Sequence, residues 1–138
     1  MPTAHRLPYI RPMKETLRPG LTRRQTYATT IDMRARQLVV DVFSTPSMIS
    51  LMERTCTELT EPYLDANEQT VGIHIDVRHL ASTRIGQSVT MTAEIIEVKG
   101  LKIRYSVTAR NDDGRMIGDG TQWRAVVDTT CFAGGGEN

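Results

Sequence analysis

Long apolar runs are missing from this sequence. No stretch of roughly 18 consecutive apolar residues occurs in it, so no membrane-spanning helix is expected. The first residues also lack the apolar centre of a secretory signal. Cysteine is scarce. Cys56 and Cys131 stand alone, with no spacing that suggests a metal site or a disulfide framework. A reducing cytoplasm is the simplest expected location. Aromatic residues make up 5% and do not alternate with basic ones, so no stacking surface for single-stranded nucleic acid is expected. The net charge is +1, which commits the chain as a whole to neither nucleic acid nor membrane. No glycine-rich loop precedes a helix, and Gly-x-Ser-x-Gly is absent, which excludes phosphate-loop, dinucleotide-fold and nucleophile-elbow readings.

What is present fits one domain of 138 residues, long enough to bury a core without metals or disulfides. Pro2, Pro8, Pro12 and Pro19 predict an extended arm over 1–20. The compact domain is expected over 21–130, with a disordered tail over 131–138. Residues 1–36 carry eight basic side chains against Glu15 and Asp32. That bias is either a solvated segment or a local field for a phosphate-bearing ligand.

The Thr-rich stretch 21–31 reads as a first strand. Residues 34–43 fit a short helix or a turn with an apolar patch. Thr45 then suits a helix N-cap and Pro46 the first helical position. A helix is expected from Pro46 to Pro62, with Met48, Met52, Cys56 and Leu59 forming its apolar stripe. Residues 65–69 read as a polar loop. Beyond it the period changes to two. Val71, Ile73, Ile75 and Val77 predict one inward-facing row of a strand. Further strands follow around 89–95, 103–109 and 115–129, separated by Gly86, Lys99-Gly100 and Asp113-Gly114. One strand, one long helix and a run of antiparallel strands give an α+β fold, a helix wrapped by a curled sheet. Long edge strands of this kind favour pairing between subunits.

Several residues could carry chemistry. Glu53 lies at the border of the helix stripe, where a carboxylate partly withdrawn from water can serve as a general base; otherwise it is a surface residue paired with a neighbour. His79 extends the odd-numbered row of its strand and so is expected to face the helix, either as a rim histidine or as a group that orients a carbonyl or relays a proton. His74 and Asp76 fall on the opposite face, without the further ligands a metal would need. Thr45 is a cap, or a hydroxyl that bonds a substrate or acts as a nucleophile. It precedes Glu53 by eight positions, roughly 12 Å along a helix. Gly72 is a bulge residue, or a backbone N–H that a ligand can approach closely. Arg124, on the face opposite Trp123, is a solvated strand charge or a contact to an acyl group or a phosphate.

Three blocks carry a resemblance. They are VFSTPSMISLMERTCTELTEPYL (42–64), VGIHIDVRHLASTRIG (71–86) and GDGTQWRAVV (118–127). Together they resemble the fluoroacetyl-CoA thioesterase family of the hotdog thioesterases. Thr45 and Glu53 fall where the family has a Thr starting the central helix and a Glu eight positions on. Gly72 and His79 match a glycine and the active-site histidine seven positions later. Arg124 matches a substrate-contacting arginine. The resemblance implies hydrolysis of a small acyl-CoA to a carboxylic acid and CoA. Thr45, Glu53 and His79 would be catalytic, and Gly72 and Arg124 would bind substrate. It implies no metal or organic cofactor, and a homodimer with the site at its interface. One departure stands out. The aromatic lid residue of fluoroacetyl-specific members falls at Val39, so fluorine selectivity is not expected to carry over. The competing readings are a hotdog module that binds acyl-CoA or another small apolar ligand without turnover, and a hydratase of enoyl thioesters.

Overall fold

A computed structural model describes residues 16–131. Of the expected arm over 1–20 and tail over 131–138, residues 1–15 and 132–138 lie outside the described residues. Five strands and one long helix follow the predicted order: β1 (Thr22–Ala28), α1 (Thr45–Thr60), β2 (Glu68–His79), β3 (Ser88–Lys99), β4 (Lys102–Asn111) and β5 (Met116–Asp128). The strands form one antiparallel sheet in the order β1-β3-β4-β5-β2, and α1 packs against one face of it. The α+β arrangement expected from the sequence is therefore present.

The core comes from the expected alternation. Val89, Met91, Ala93 and Ile95 of β3 and Ile103, Tyr105, Val107 and Ala109 of β4 are all buried. They meet Met48, Met52, Cys56 and Leu59 on one face of α1. The β3–β4 and β4–β5 turns use Gly100 and Gly114 at φ 61° and 77°, a region open to glycine at little cost. Leu17 is also buried in this core, so the packed unit begins before residue 21.

Residues 34–43 form neither a helix nor a strand. Bridges Arg34–Phe43 and Val42–Arg84 close the two ends of the segment on each other and tie them to Arg84, and Leu38, Val39 and Val40 between them are exposed.

Two local features differ from the sequence reading, and both shape the site. Ser44, not Thr45, caps α1. Ser44 is extended (φ −84°, ψ 155°), and its hydroxyl accepts from the Ser47 N–H at 3.2 Å. Thr45 is already helical, and its hydroxyl is left for other work.

The second difference is in β2. Its pairing with β5 passes from Gly72–Arg124 directly to His74–Trp123, leaving Ile73 as a bulge. The inserted residue exchanges the two faces of the strand. Before it, Glu68 and Thr70 are buried while Val71 is exposed. After it, Ile75, Val77 and His79 are the less exposed positions. Val71 and Ile73 therefore do not belong to the inward row, as uniform alternation had suggested.

Candidate active site

The five candidate residues fall into two groups. At the start of α1, Thr45 Oγ1 lies 2.7 Å from His79 Nδ1 at the end of β2. This pair borders a cavity of about 730 Å³, lined also by Val42, Phe43, Leu80 and Ala81, with Arg34 and Arg36 among its charged side chains. The other ring nitrogen of His79, Nε2, is buried without a hydrogen-bond partner among the described residues. A hydroxyl hydrogen-bonded to an imidazole is the geometry in which a neutral histidine can polarise an O–H bond.

The second group lies two turns further along α1. Glu53 Oε2 accepts from Arg124 Nη1 at 3.2 Å. Arg124 is buried, at 6% exposure, although it is a charge on a strand. Its remaining contacts are internal: Nε donates to Thr70 Oγ1 at 2.9 Å, Nη2 to the Thr70 carbonyl at 3.1 Å and Nη1 to Gln122 Oε1 at 3.1 Å. A buried guanidinium is tolerable because each of its three nitrogens donates a hydrogen bond and a carboxylate faces it. The Glu53 side chain remains 37% exposed, so water can reach it.

Gly72 completes this group. A Cβ built on it would lie 2.6 Å from Glu53 Oε2 and 3.4 Å from Arg124 Nη1. The absence of a side chain here is what lets the carboxylate sit against the strand. Gly72→Ala is therefore expected to push the carboxylate aside and lower kcat about tenfold or more, with the fold retained. Steady-state kinetics alongside a circular-dichroism melt checks this. An unchanged kcat would mean that Glu53 has room elsewhere.

The groups do not meet within one chain. Eight helical residues separate Thr45 from Glu53 by roughly 12 Å, and seven strand residues separate Gly72 from His79 by roughly 23 Å. Two further members, Thr70 and Gln122, were not singled out from the sequence. The available signal was polar residues falling on the inward face of β2 and β5, next to Arg124.

Comparison with known proteins bears on the whole arrangement. Residues 25–130 match the profile of the family described as fluoroacetyl-CoA-specific thioesterase. The chain belongs to this family. A fluoroacetyl-CoA thioesterase from Streptantibioticus cattleyicolor is 41% identical over 92 residues, which span 67% of this chain and 66% of that protein, just under two thirds of its length. A solved structure of the fluoroacetyl-CoA thioesterase FlK superposes with a TM-score of 0.83 at 30% identity, covering 88% of this chain and 96% of that one. A variant of the same enzyme, solved with fluoroacetate and CoA, gives 0.80 at 32% identity, covering 84% and 99%. The sheet-wrapped helix described above is thus the hotdog fold of this thioesterase family.

In this thioesterase-family site, burial lowers the pKa of His79 from its ordinary value of 6.5, with the Ala81 backbone pulling weakly the other way. The ring is therefore neutral at pH 7. The sign follows from proton counting. On acidification below 6.5 the unfolded chain takes up a proton at His79 before the folded chain does. This contribution to stability is present above 6.5 and is lost as pH falls through the lower, folded-state value. Wild-type Tm is expected to fall more steeply between about pH 7 and 5 than that of His79→Gln. Equal slopes in parallel thermal melts would contradict it.

Cys56 is excluded as a nucleophile. Burial pushes its thiol up to about 12, against a downward pull from Arg124 and a smaller upward one from Glu53.

Proposed function

We propose that this protein hydrolyses small acyl-CoA thioesters, releasing a carboxylic acid and CoA, with no metal or organic cofactor. The observation that carries the reading is the Glu53 carboxylate. It is held by a buried arginine through one oxygen, beside a glycine that leaves it space, and stays open to water. Such a carboxylate can take a proton from water as the resulting hydroxide attacks the thioester carbonyl. The C–S bond then breaks, and the proton returns to the leaving thiolate, relayed by His79. Thr45 orients the carbonyl. The Gly72 backbone N–H and the N-terminal end of α1 stabilise the oxyanion.

The two groups come together in a homodimer. β2 is an edge strand of the sheet and exposes Val71 and Ile73. Antiparallel pairing of two β2 edges about a two-fold axis runs the His79 end of one toward the Gly72 half of the other. Glu53, Gly72 and Arg124 of one subunit would then face Thr45 and His79 of the partner subunit across the substrate. Arg34 and Arg36 suit the phosphates of CoA at the mouth of the cavity. No described helix is long and apolar enough to cross a membrane. A cytoplasmic enzyme, with neither nucleic acid nor membrane as partner, completes the proposal.

Free-thiol release from acetyl-, propionyl-, butyryl- and fluoroacetyl-CoA tests the activity. Turnover of at least one thioester is expected. Because position 39 holds valine and not an aromatic residue, fluoroacetyl-CoA is expected to show no large advantage over acetyl-CoA. Binding of these thioesters without thiol release would favour a ligand-binding hotdog module.

A further inference from the structure

Gln122 lies at the middle of β5, between Ile75 of β2 and Tyr105 of β4, and its side chain is completely buried. Burying an amide is costly unless both its ends are hydrogen-bonded. Here only one end is. Oε1 accepts from Arg124 Nη1 at 3.1 Å, while Nε2 is shut off from water without a partner among the described residues. The orientation of the amide is dictated by its neighbour. A guanidinium only donates, so the amide must turn its oxygen toward Arg124 and leave its N–H unpaired. Methionine or leucine would fill the same space with no orphaned donor. What they would not supply is an acceptor for Nη1, the atom that also holds Glu53 Oε2.

We infer that Gln122 is a positioning residue for the hydrolytic carboxylate. With Thr70 it clamps Arg124 from the interior, so that Nη1 keeps Glu53 in one orientation and leaves its second oxygen for water. This inference rests on the reading of Glu53 as the catalytic carboxylate. Arg124 alone would not suffice. Its Nε and Nη2 are tied to Thr70, and Gln122 supplies the anchor on Nη1 beside the Glu53 contact.

The test is a double-mutant cycle on the thioester, among acetyl-, propionyl-, butyryl- and fluoroacetyl-CoA, that the wild type cleaves fastest. Gln122→Met is expected to lower kcat about tenfold or more with KM changed less than about threefold. In a Glu53→Ala background the same change is expected to add less than about twofold, because a residue acting through Glu53 has nothing left to position. Thr70→Val, which removes the acceptor for Arg124 Nε, is expected to repeat both results and stands in if Gln122→Met fails to fold. Full activity in folded Gln122→Met, or equal losses in both backgrounds, overturns the inference while leaving Glu53 catalytic. A wild-type rate in Glu53→Ala instead overturns the parent reading, and this one with it.

Discussion

Glu53→Ala is expected to cut thiol release about 100-fold or more, because general-base groups contribute about 10²–10⁴ in rate. KM should move little if the carboxylate acts on water and not on bound CoA. The substitution also leaves the Arg124 guanidinium without its anionic partner. In a fully buried pair that loss costs about 3–5 kcal/mol. Here the Glu53 side chain is 37% exposed, so water replaces part of the contact and a cost nearer about 1 kcal/mol is expected. Glu53→Gln separates the two effects. Its amide oxygen can still accept from Arg124, so the melting temperature should stay close to wild type while the rate falls. Kinetics and thermal melts on the two variants check this together. Retention of most of the rate in Glu53→Gln would show that the group acts by hydrogen bonding alone.

The second large effect concerns which chain supplies which group. In the proposed homodimer, Glu53→Ala and His79→Ala should each leave the protein nearly inactive. Co-refolding equal amounts of the two chains is expected to restore about a quarter of wild-type activity. Half of the dimers are then hybrids, and each hybrid holds one damaged site and one in which both groups survive. If Glu53 and His79 of a site belonged to the same chain, every site in the mixture would carry a lesion and no activity would return. The separation along α1 and β2 favours restoration. The measurement is thiol release before and after refolding, with native mass spectrometry to count the hybrids.

Much of this fold can be read from the sequence, because period and punctuation agree over long stretches. The stripe Met48, Met52, Cys56 and Leu59 and the alternation of β3 and β4 each bury the residues they mark. The two local differences have a common cause. Ser44 and Thr45 are both good caps, and only the backbone at Ser44 decides between them. The bulge at Ile73 likewise leaves no mark in a run of alternating apolar residues, since Val71 and Ile73 look like members of the row they do not join. The site is legible to a lesser degree. Glu53, His79 and Thr45 stand out by type and position. Their division into two groups depends on three-dimensional placement. Thr70 and Gln122 have no distinguishing chemistry of their own. They matter because Arg124 faces inward between them, and a solvated strand arginine would have needed neither.

The interruption in β2 also bears on self-association without limit. A twelve-residue edge strand showing Val71 and Ile73 to solvent is the kind of open rim along which chains can stack into fibrils. An irregular backbone at Ile73 breaks the evenly spaced row of donors and acceptors that such stacking copies. A strand with an even pleat would match this rim on one side of the break and lose step on the other. In the proposed homodimer a second copy related by a two-fold axis brings the same irregularity from the opposite direction, so this rim would be used up in a closed pair and offer no free template for a third chain.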